Sequence, residues 1–143
     1  MFIGEYSYTI DEKGRVATPV KYRVQLGDGV VVTRGLDNCL FMYAKKDWAV
    51  LAEKLGNMPT TDKSARDYAR LMLAGAMDIE PDKAGRIVLP QYLRDFASLK
   101  KNVVVAGLYN RIEIWDETTW KKYEQEVEKN SGDIADKLSQ LGV

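Results

Sequence analysis

The chain contains one five-residue motif twice, and this internal repeat limits the possible folds more than any other feature of the sequence. The segment Asp11-Glu12-Lys13-Gly14-Arg15 returns 71 positions later as Asp82-Lys83-Ala84-Gly85-Arg86. A repeat that extends over most of a chain indicates duplication of one structural unit. Further matches at an offset of 71 or 72 are Pro19 with Pro90, Arg23 with Arg94, and Trp48 with Trp120.

The residue types in the motif are those of a tight hairpin turn. Gly14 and Gly85 can adopt a positive φ without steric cost, as such turns require. Asp11 and Asp82 can accept hydrogen bonds from backbone N–H groups two residues further on, which closes the turn. We therefore expect one hairpin in each copy, with the aspartates and glycines as its supporting residues.

The charged residues of the hairpins allow two interpretations. In the first, aspartate and arginine form a local ion pair with no further role. In the second, Lys13 with Arg15, and Lys83 with Arg86, are presented to a polyanion. The presence of basic residues around the glycine in both copies raises the weight of the second interpretation.

The pattern of apolar residues predicts the same order of elements in both copies. Alternation and β-branched runs indicate strands, and apolar residues spaced by three and four indicate one helix after each last strand. This predicts an α+β, mostly β fold of two tandem half-domains related by a pseudo-twofold axis. The expected units are residues 1–56 and 77–130 as half-domains, 57–76 as a linker with a helix, and 131–143 as a C-terminal tail helix.

The linker and the tail have apolar patterns of their own. Residues 68–76 are apolar nearly all round the expected helix, which predicts burial at the junction of the halves or at a subunit contact. Ile134, Leu138 and Leu141 have helical spacing in the tail. The tail is therefore either a docking helix or a frayed end.

Composition excludes several classes of function. The chain has no histidine and one cysteine, Cys39, so histidine-based catalysis, most zinc sites and an internal disulfide are excluded. We expect no enzyme activity, no cofactor, no metal, no small-molecule substrate and no membrane span. The 21 basic and 21 acidic side chains balance, but the acidic excess lies after residue 112, which leaves a mildly basic body suited to a polyanion.

Several segments together resemble one family. These are the Met-Phe-x-Gly start, both D-x-x-x-R hairpins, the run Val-Val-Thr-Arg-Gly-Leu-Asp-Asn-Cys-Leu at 31–40, and Asn-Arg-Ile-Glu-Ile-Trp-Asp at 110–116. They occur in order over residues 1–129 and are similar to the MraZ family, within the wider SpoVT-AbrB group of swapped-hairpin DNA-binding domains.

The resemblance implies a cytoplasmic, nucleoid-associated transcriptional regulator, with repression favoured, and a swapped-hairpin or double-psi barrel built from the two half-domains. It implies a closed homo-oligomeric ring that binds double-stranded promoter DNA at short G-rich direct repeats of the division and cell-wall gene cluster. The family arginines fall on Arg15 and Arg86, and the adjoining basic residues on Lys13 and Lys83. The alternative within the same fold group is an antitoxin-like protein-interaction module.

Overall fold

A computed structural model describes every residue of the chain, from Met1 to Val143. The strands are β1 (Phe2–Thr9), β2 (Arg15–Ala17), β3 (Val30–Arg34), β4 (Leu40–Ala44), β5 (Met77–Ile79), β6 (Arg86–Val88), β7 (Asn102–Tyr109) and β8 (Arg111–Asp116). The helices are α1 (Arg23–Leu26), α2 (Lys45–Gly56), α3 (Lys63–Ala69), α4 (Gln91–Phe96), α5 (Glu117–Lys129) and α6 (Ser131–Ser139). A 3-10 turn at Val20–Tyr22 precedes α1, and a π-helical segment, Arg70–Ala74, continues α3.

Six strands form one antiparallel sheet in the order β1-β7-β8-β4-β3-β5, and β2 pairs with β6 in a separate two-stranded sheet. When every strand is exchanged for its counterpart in the other copy, the order of the larger sheet reads the same from the opposite edge. The two copies therefore share one strand order, as the duplication predicts. The fold is α+β with a large antiparallel sheet, which confirms the predicted class.

The copies exchange their first strands. β1 of the first copy pairs with β7 of the second along its whole length, and β5 of the second copy pairs with β3 of the first. The larger sheet ends at β1 and β5, so these pairings do not close it into a barrel. The barrel that the family resemblance implies is not confirmed.

The centre of the larger sheet lies between β4 and β8. Phe41 is the register partner of Glu113 there, and the two residues are also counterparts in the repeat, 72 positions apart. A residue paired with its own counterpart must lie beside the axis that relates the copies. The axis therefore passes close to this pair, where an aromatic ring in one copy meets a carboxylate in the other.

One hydrophobic core serves both copies. It is a cluster of 19 buried residues drawn from both halves, among them Phe2, Val16 and Leu40 from the first and Ile87 and Ile114 from the second. Full burial of a large aliphatic or aromatic side chain contributes about 1.5–3 kcal/mol relative to exposure. Separating the halves would expose this shared cluster, so the duplication folds as one unit.

A second cluster of six buried residues lies under α2, α3 and α5, and Trp48 and Trp120 pack against it. The predicted apolar stripe of α5 is only partly covered, because Tyr123 and Val127 remain 39% and 38% exposed. The cluster consists of Cys39, Phe41, Tyr43, Leu55, Met72 and Trp115.

Cys39 is a packing residue of this second cluster. Its side chain is fully buried, and its Sγ donates a hydrogen bond to the carbonyl oxygen of Leu36 at 3.0 Å. Burial raises the pKa of the thiol far above its ordinary value, so the thiolate that a nucleophile requires is not formed at neutral pH.

The linker helix is buried on one face only. Met72 is fully buried, and its carbonyl oxygen accepts a hydrogen bond from Thr33 Oγ1 at 2.6 Å, whereas Leu73 remains 37% exposed. The segment contacts β3 and α2, but Arg70, Leu73 and Ala74 remain exposed, so the junction of the halves does not bury it all round. Its burial at a subunit contact stays a prediction.

The C-terminal tail forms α6 and lies next to α5. Ile134 and Leu138 remain 38% and 36% exposed, so the helix packs its apolar stripe only partly. None of the helices combines the length and the apolar character that a membrane crossing requires.

Candidate nucleic-acid interface

The first hairpin is closed by the carboxylate of Asp11. Its Oδ1 accepts hydrogen bonds from the backbone N–H groups of Lys13 and Arg15, both at 2.9 Å, and its Oδ2 accepts one from Arg15 Nε at 2.5 Å. The backbone N–H of Gly14 donates to the carbonyl oxygen of Asp11 at 3.0 Å. One side chain therefore fixes both the turn and the direction of the arginine.

The second hairpin repeats this geometry. Asp82 Oδ1 accepts from the N–H groups of Ala84 and Arg86 at 2.9 Å, and Oδ2 accepts from Arg86 Nε at 2.8 Å. The local ion pair expected from the motif is thus present in both copies. It leaves the terminal nitrogens of each guanidinium without a hydrogen bond inside the chain, so the ion pair does not exclude binding of a polyanion.

The lysines of the two hairpins occupy different positions. Lys13 corresponds to Ala84, because both donate their N–H to the motif aspartate, and Lys83 corresponds to Glu12. All of these residues are exposed. Each tip thus carries one lysine, but the first also carries an acidic residue where the second has its lysine.

The two hairpins are joined back to back. β2 and β6 pair antiparallel, with Val16 opposite Ile87 at the centre. The carbonyl oxygen of Gly85 accepts from Thr18 N at 3.1 Å and from Thr18 Oγ1 at 2.7 Å, and that of Gly14 accepts from Leu89 N at 2.9 Å. Each turn is therefore bonded to the strand that leaves the other turn.

Arginines from α1 and α4 cover the opposite turns. Gly14 and Gly85 have φ values of +83° and +76°, a region that side chains disfavour. A Cβ on Gly85 would lie 2.5 Å from Nε of Arg23, and a Cβ on Gly14 would lie 3.0 Å from Cζ of Arg94. The backbone conformation favours glycine at both positions, and at Gly14 a Cβ would also lie 2.8 Å from the carbonyl oxygen of Leu89.

These two arginines are themselves held by backbone carbonyls. Arg23 donates from Nε and Nη2 to the carbonyl oxygen of Thr18 at 3.3 and 3.1 Å. Arg94 donates from Nε to the carbonyl oxygen of Leu89 at 2.9 Å. The repeat revealed that they correspond, but their position over the turns of the other copy depends on tertiary packing.

The motif carboxylates are stabilised in their charged form. Hydrogen bonding by the backbone N–H of Arg15, together with its side chain, lowers the pKa of Asp11 below its ordinary value. Arg86 does the same to the pKa of Asp82. Both hairpins therefore keep their supporting charge throughout the neutral range.

A cleft of about 700 Å³ opens beside the first hairpin. It lies between the hairpin and the turn that connects α4 to β7, and its lining includes five basic and two acidic side chains. Lys100 and Lys101 in this turn were not expected from the sequence as site residues. Their only local signal is the Lys-Lys pair itself. The basic residues of the cleft are Lys13, Arg15, Arg94, Lys100 and Lys101.

The matching cleft beside the second hairpin is smaller, about 250 Å³, and its charges balance. It is lined by Arg23 and Lys83 against Asp28 and Asp82. Two hairpins of equal backbone geometry thus lie in unequal electrostatic surroundings.

The fold and these hairpins define a class of protein: an intramolecular duplication in which each copy carries an arginine held by an aspartate, on a short strand that pairs with its counterpart in the other copy. The family model described as "MraZ protein, putative antitoxin-like" matches the chain twice, over residues 1–71 and 72–141. The chain belongs to the MraZ family.

Relatives match over nearly their full length. The protein of Caldicellulosiruptor saccharolyticus is 48% identical over all of both chains. Those of Natranaerobius thermophilus and Ligilactobacillus salivarius are 48% and 49% identical over 96% of each chain. Each of these relatives is named "Transcriptional regulator MraZ".

Proposed function

We propose that the chain is a sequence-specific transcriptional regulator that binds double-stranded promoter DNA through its two hairpins. The observation that carries this proposal is the hydrogen bonding of the Arg15 and Arg86 side chains. Each guanidinium is held by an aspartate through Nε, and its terminal nitrogens are unpaired at an exposed turn. An arginine oriented in this way can donate two parallel hydrogen bonds to O6 and N7 of guanine in the major groove.

The remaining residues of the hairpins have supporting roles. Lys13 and Lys83 are exposed at the tips and bind phosphates as point charges. Asp11, Asp82, Gly14 and Gly85 maintain the turns and do not contact bases. In this proposal residues 1–56 and 77–130 are the two SpoVT-AbrB-type half-domains, joined by 57–76 and followed by the tail 131–143.

The targets and the assembly follow from the family resemblance. We propose short G-rich direct repeats upstream of the division and cell-wall genes as the operator, in a nucleoid-associated, cytoplasmic complex that represses transcription. A hairpin reads only a few base pairs, so one contact is weak. A closed ring that presents the same hairpin repeatedly gains affinity through effective concentration, and head-to-tail subunit contacts suit direct repeats.

The test compares operator and random duplexes in a fluorescence-anisotropy titration of wild type, Arg15→Ala and Arg86→Ala. Loss of one bidentate base contact should reduce discrimination by about 1–3 kcal/mol for each engaged hairpin. The matched control is Arg70→Ala, which removes an exposed arginine side chain that forms no hydrogen bond and lies outside both hairpins. Size-exclusion profiles establish that assembly is unchanged. If both hairpin variants discriminate as the wild type does, the hairpins are not the readers.

The second candidate is an antitoxin-like module that binds a protein. It is favoured by the half-exposed apolar side chains along α5 and α6, among them Tyr123, Val127, Ile134 and Leu138. Co-purification from the native host with wild type and with Ile134→Ser/Leu138→Ser distinguishes the two functions. A stoichiometric partner that the double variant loses would support this candidate, and operator binding without such a partner would reject it.

A further inference from the structure

The two hairpins match in backbone geometry but differ in their surroundings. The cleft beside the first hairpin is lined by five basic and two acidic side chains, those of the hairpin included, and the cleft beside the second by two basic and two acidic ones. Resting on the proposed DNA binding, we infer that the cleft between the first hairpin and the Lys100–Lys101 turn is a phosphate-backbone site. The two hairpins of a chain therefore contribute unequally to the affinity for DNA, and the first hairpin contributes more.

Two hydrogen bonds fix the Lys100–Lys101 turn, and one of them joins it to the base of the first hairpin. The carbonyl oxygen of Lys101 accepts from the N–H of Ile10 at 2.8 Å, at the base of that hairpin. The N–H of Lys100 donates to Asp116 Oδ1 at 3.1 Å. Both bonds are made by backbone groups of the turn. They fix its position and leave the two lysine side chains exposed to solvent.

Neither lysine is neutralised within the chain. Both are exposed, and neither belongs to any of the five ion pairs of the structure. A further basic residue of the cleft is Arg94 on α4, which uses only Nε for its bond to the carbonyl oxygen of Leu89. An uncompensated group of cations beside an oriented arginine attracts the phosphates that flank the base being read.

The second copy of the site lacks both the charge and the anchor. The corresponding loop, between α1 and β3, carries Asp28 and Gly29 in place of the lysine pair. Pro81 stands at the position that corresponds to Ile10 and has no N–H to hold such a loop. The side chain of Lys45 packs over Gly29 but does not line the second cleft. The two clefts therefore differ in the backbone hydrogen bonding of their loops as well as in their charges.

The experiment measures the salt dependence of binding to an operator duplex and to a random duplex. Each phosphate contact contributes about 0.9 to the slope of log K against log salt. Lys100→Gln/Lys101→Gln should lower the slope by about two such contacts per engaged chain, which near 0.1 M salt amounts to about a sixtyfold weaker complex. The loss should be equal for both duplexes, because phosphates carry no sequence information.

The matched control is Lys121→Gln/Lys122→Gln, an adjacent exposed lysine pair on α5 that does not line the cleft. Its salt slope should equal that of the wild type. Lys83→Gln, beside the second hairpin, should lower the slope by less than Lys13→Gln does beside the first. Size-exclusion and circular-dichroism profiles should be the same for all variants, since every substituted lysine is exposed.

The outcomes separate this inference from the proposed function. If the wild type binds neither duplex, the function and the inference both fail. If the wild type binds with specificity that Arg15→Ala abolishes, but the Lys100/Lys101 variant keeps its slope, only the phosphate site is rejected. If Lys83→Gln lowers the slope as much as Lys13→Gln, the asymmetry is rejected.

Discussion

Replacement of Glu113 by glutamine tests how much the polar network on β8, at the centre of the larger sheet, contributes to the free energy of unfolding. Glu113 is 8% exposed. Its Oε2 accepts from Arg111 Nε and Nη2 at 3.2 and 3.0 Å, and its Oε1 accepts from Trp115 Nε1 at 3.0 Å. Both carboxylate oxygens are therefore acceptors, and the residue is the counterpart and register partner of Phe41.

Glutamine keeps the volume but supplies only one acceptor oxygen. Its NH₂ group must then face either Trp115 Nε1 or the guanidinium of Arg111, and both of these are donors. Trp115 is 2% exposed, so its N–H cannot turn to water and would cost about 1–3 kcal/mol if left unpaired. Arg111 is partly exposed and also lies 4.8 Å from the centre of the Phe41 ring, so loss of its ion pair adds little.

We therefore expect Glu113→Gln to lower the free energy of unfolding by about 2 kcal/mol. The assay is urea denaturation followed by tryptophan fluorescence, at one protein concentration because assembly contributes to apparent stability. The control is Glu117→Gln, which removes an exposed ion pair with Lys121 at 3.2 Å and should cost less than about 1 kcal/mol. A Glu113→Gln protein as stable as the control would refute this account of the network.

Two further predictions concern the hairpins. Gly85→Ala places a side chain at a φ of +76° and brings its Cβ close to the guanidinium of Arg23, so it should destabilise by about 1–2 kcal/mol. In the same urea assay Gly132→Ala, whose φ is not positive and whose Cβ would have nothing within 4 Å, should be neutral or stabilising. Equal effects would contradict the requirement for glycine at the turn. The pKa of Asp11 in the folded state is lowered from its ordinary value of 3.8. The charged carboxylate therefore stabilises the fold above pH 3.8, and this stabilisation is lost as the pH falls through the lowered pKa. Asp11→Asn should thus be less stable than wild type at pH 7, and the difference should shrink on acidification; a difference independent of pH would show that the carboxylate charge is not involved.

Local features of this fold could be predicted from the sequence because they depend on neighbouring residues. The hairpins depend on an aspartate that accepts from the N–H group two residues on and on a glycine that tolerates positive φ, and the motif predicts both; the additional bond to the N–H of the arginine four residues on was found only in the structure. The strands and the apolar helical stripes followed from periodicity in the same way. The family assignment rested on such segments occurring in order, and the match of the family model to both halves supports it.

Long-range pairing could not be predicted from those patterns. The duplication implied two equal units, but not that β1 and β5 exchange partners, because alternation specifies which face of a strand is buried and not which strand lies beside it. The junction of the halves buries the linker helix on one face only, which the apolar pattern could not predict for the same reason. Apolar residues all round a helix indicate that its burial is favourable. How many neighbouring elements can bury it depends on the fold of the whole chain.

The basic residues of the proposed interface also fall into two groups: those that the sequence predicts and those that only the tertiary structure brings to the site. Lys13, Arg15, Lys83 and Arg86 could be named from the motif, since a hairpin tip is exposed wherever it lies. Lys100 and Lys101 join the first hairpin only because Ile10, some ninety residues earlier, donates its N–H to Lys101 across the exchanged strands. Charge and turn chemistry are properties of short segments, whereas their assembly into one cleft arises from backbone hydrogen bonds between segments far apart in the chain.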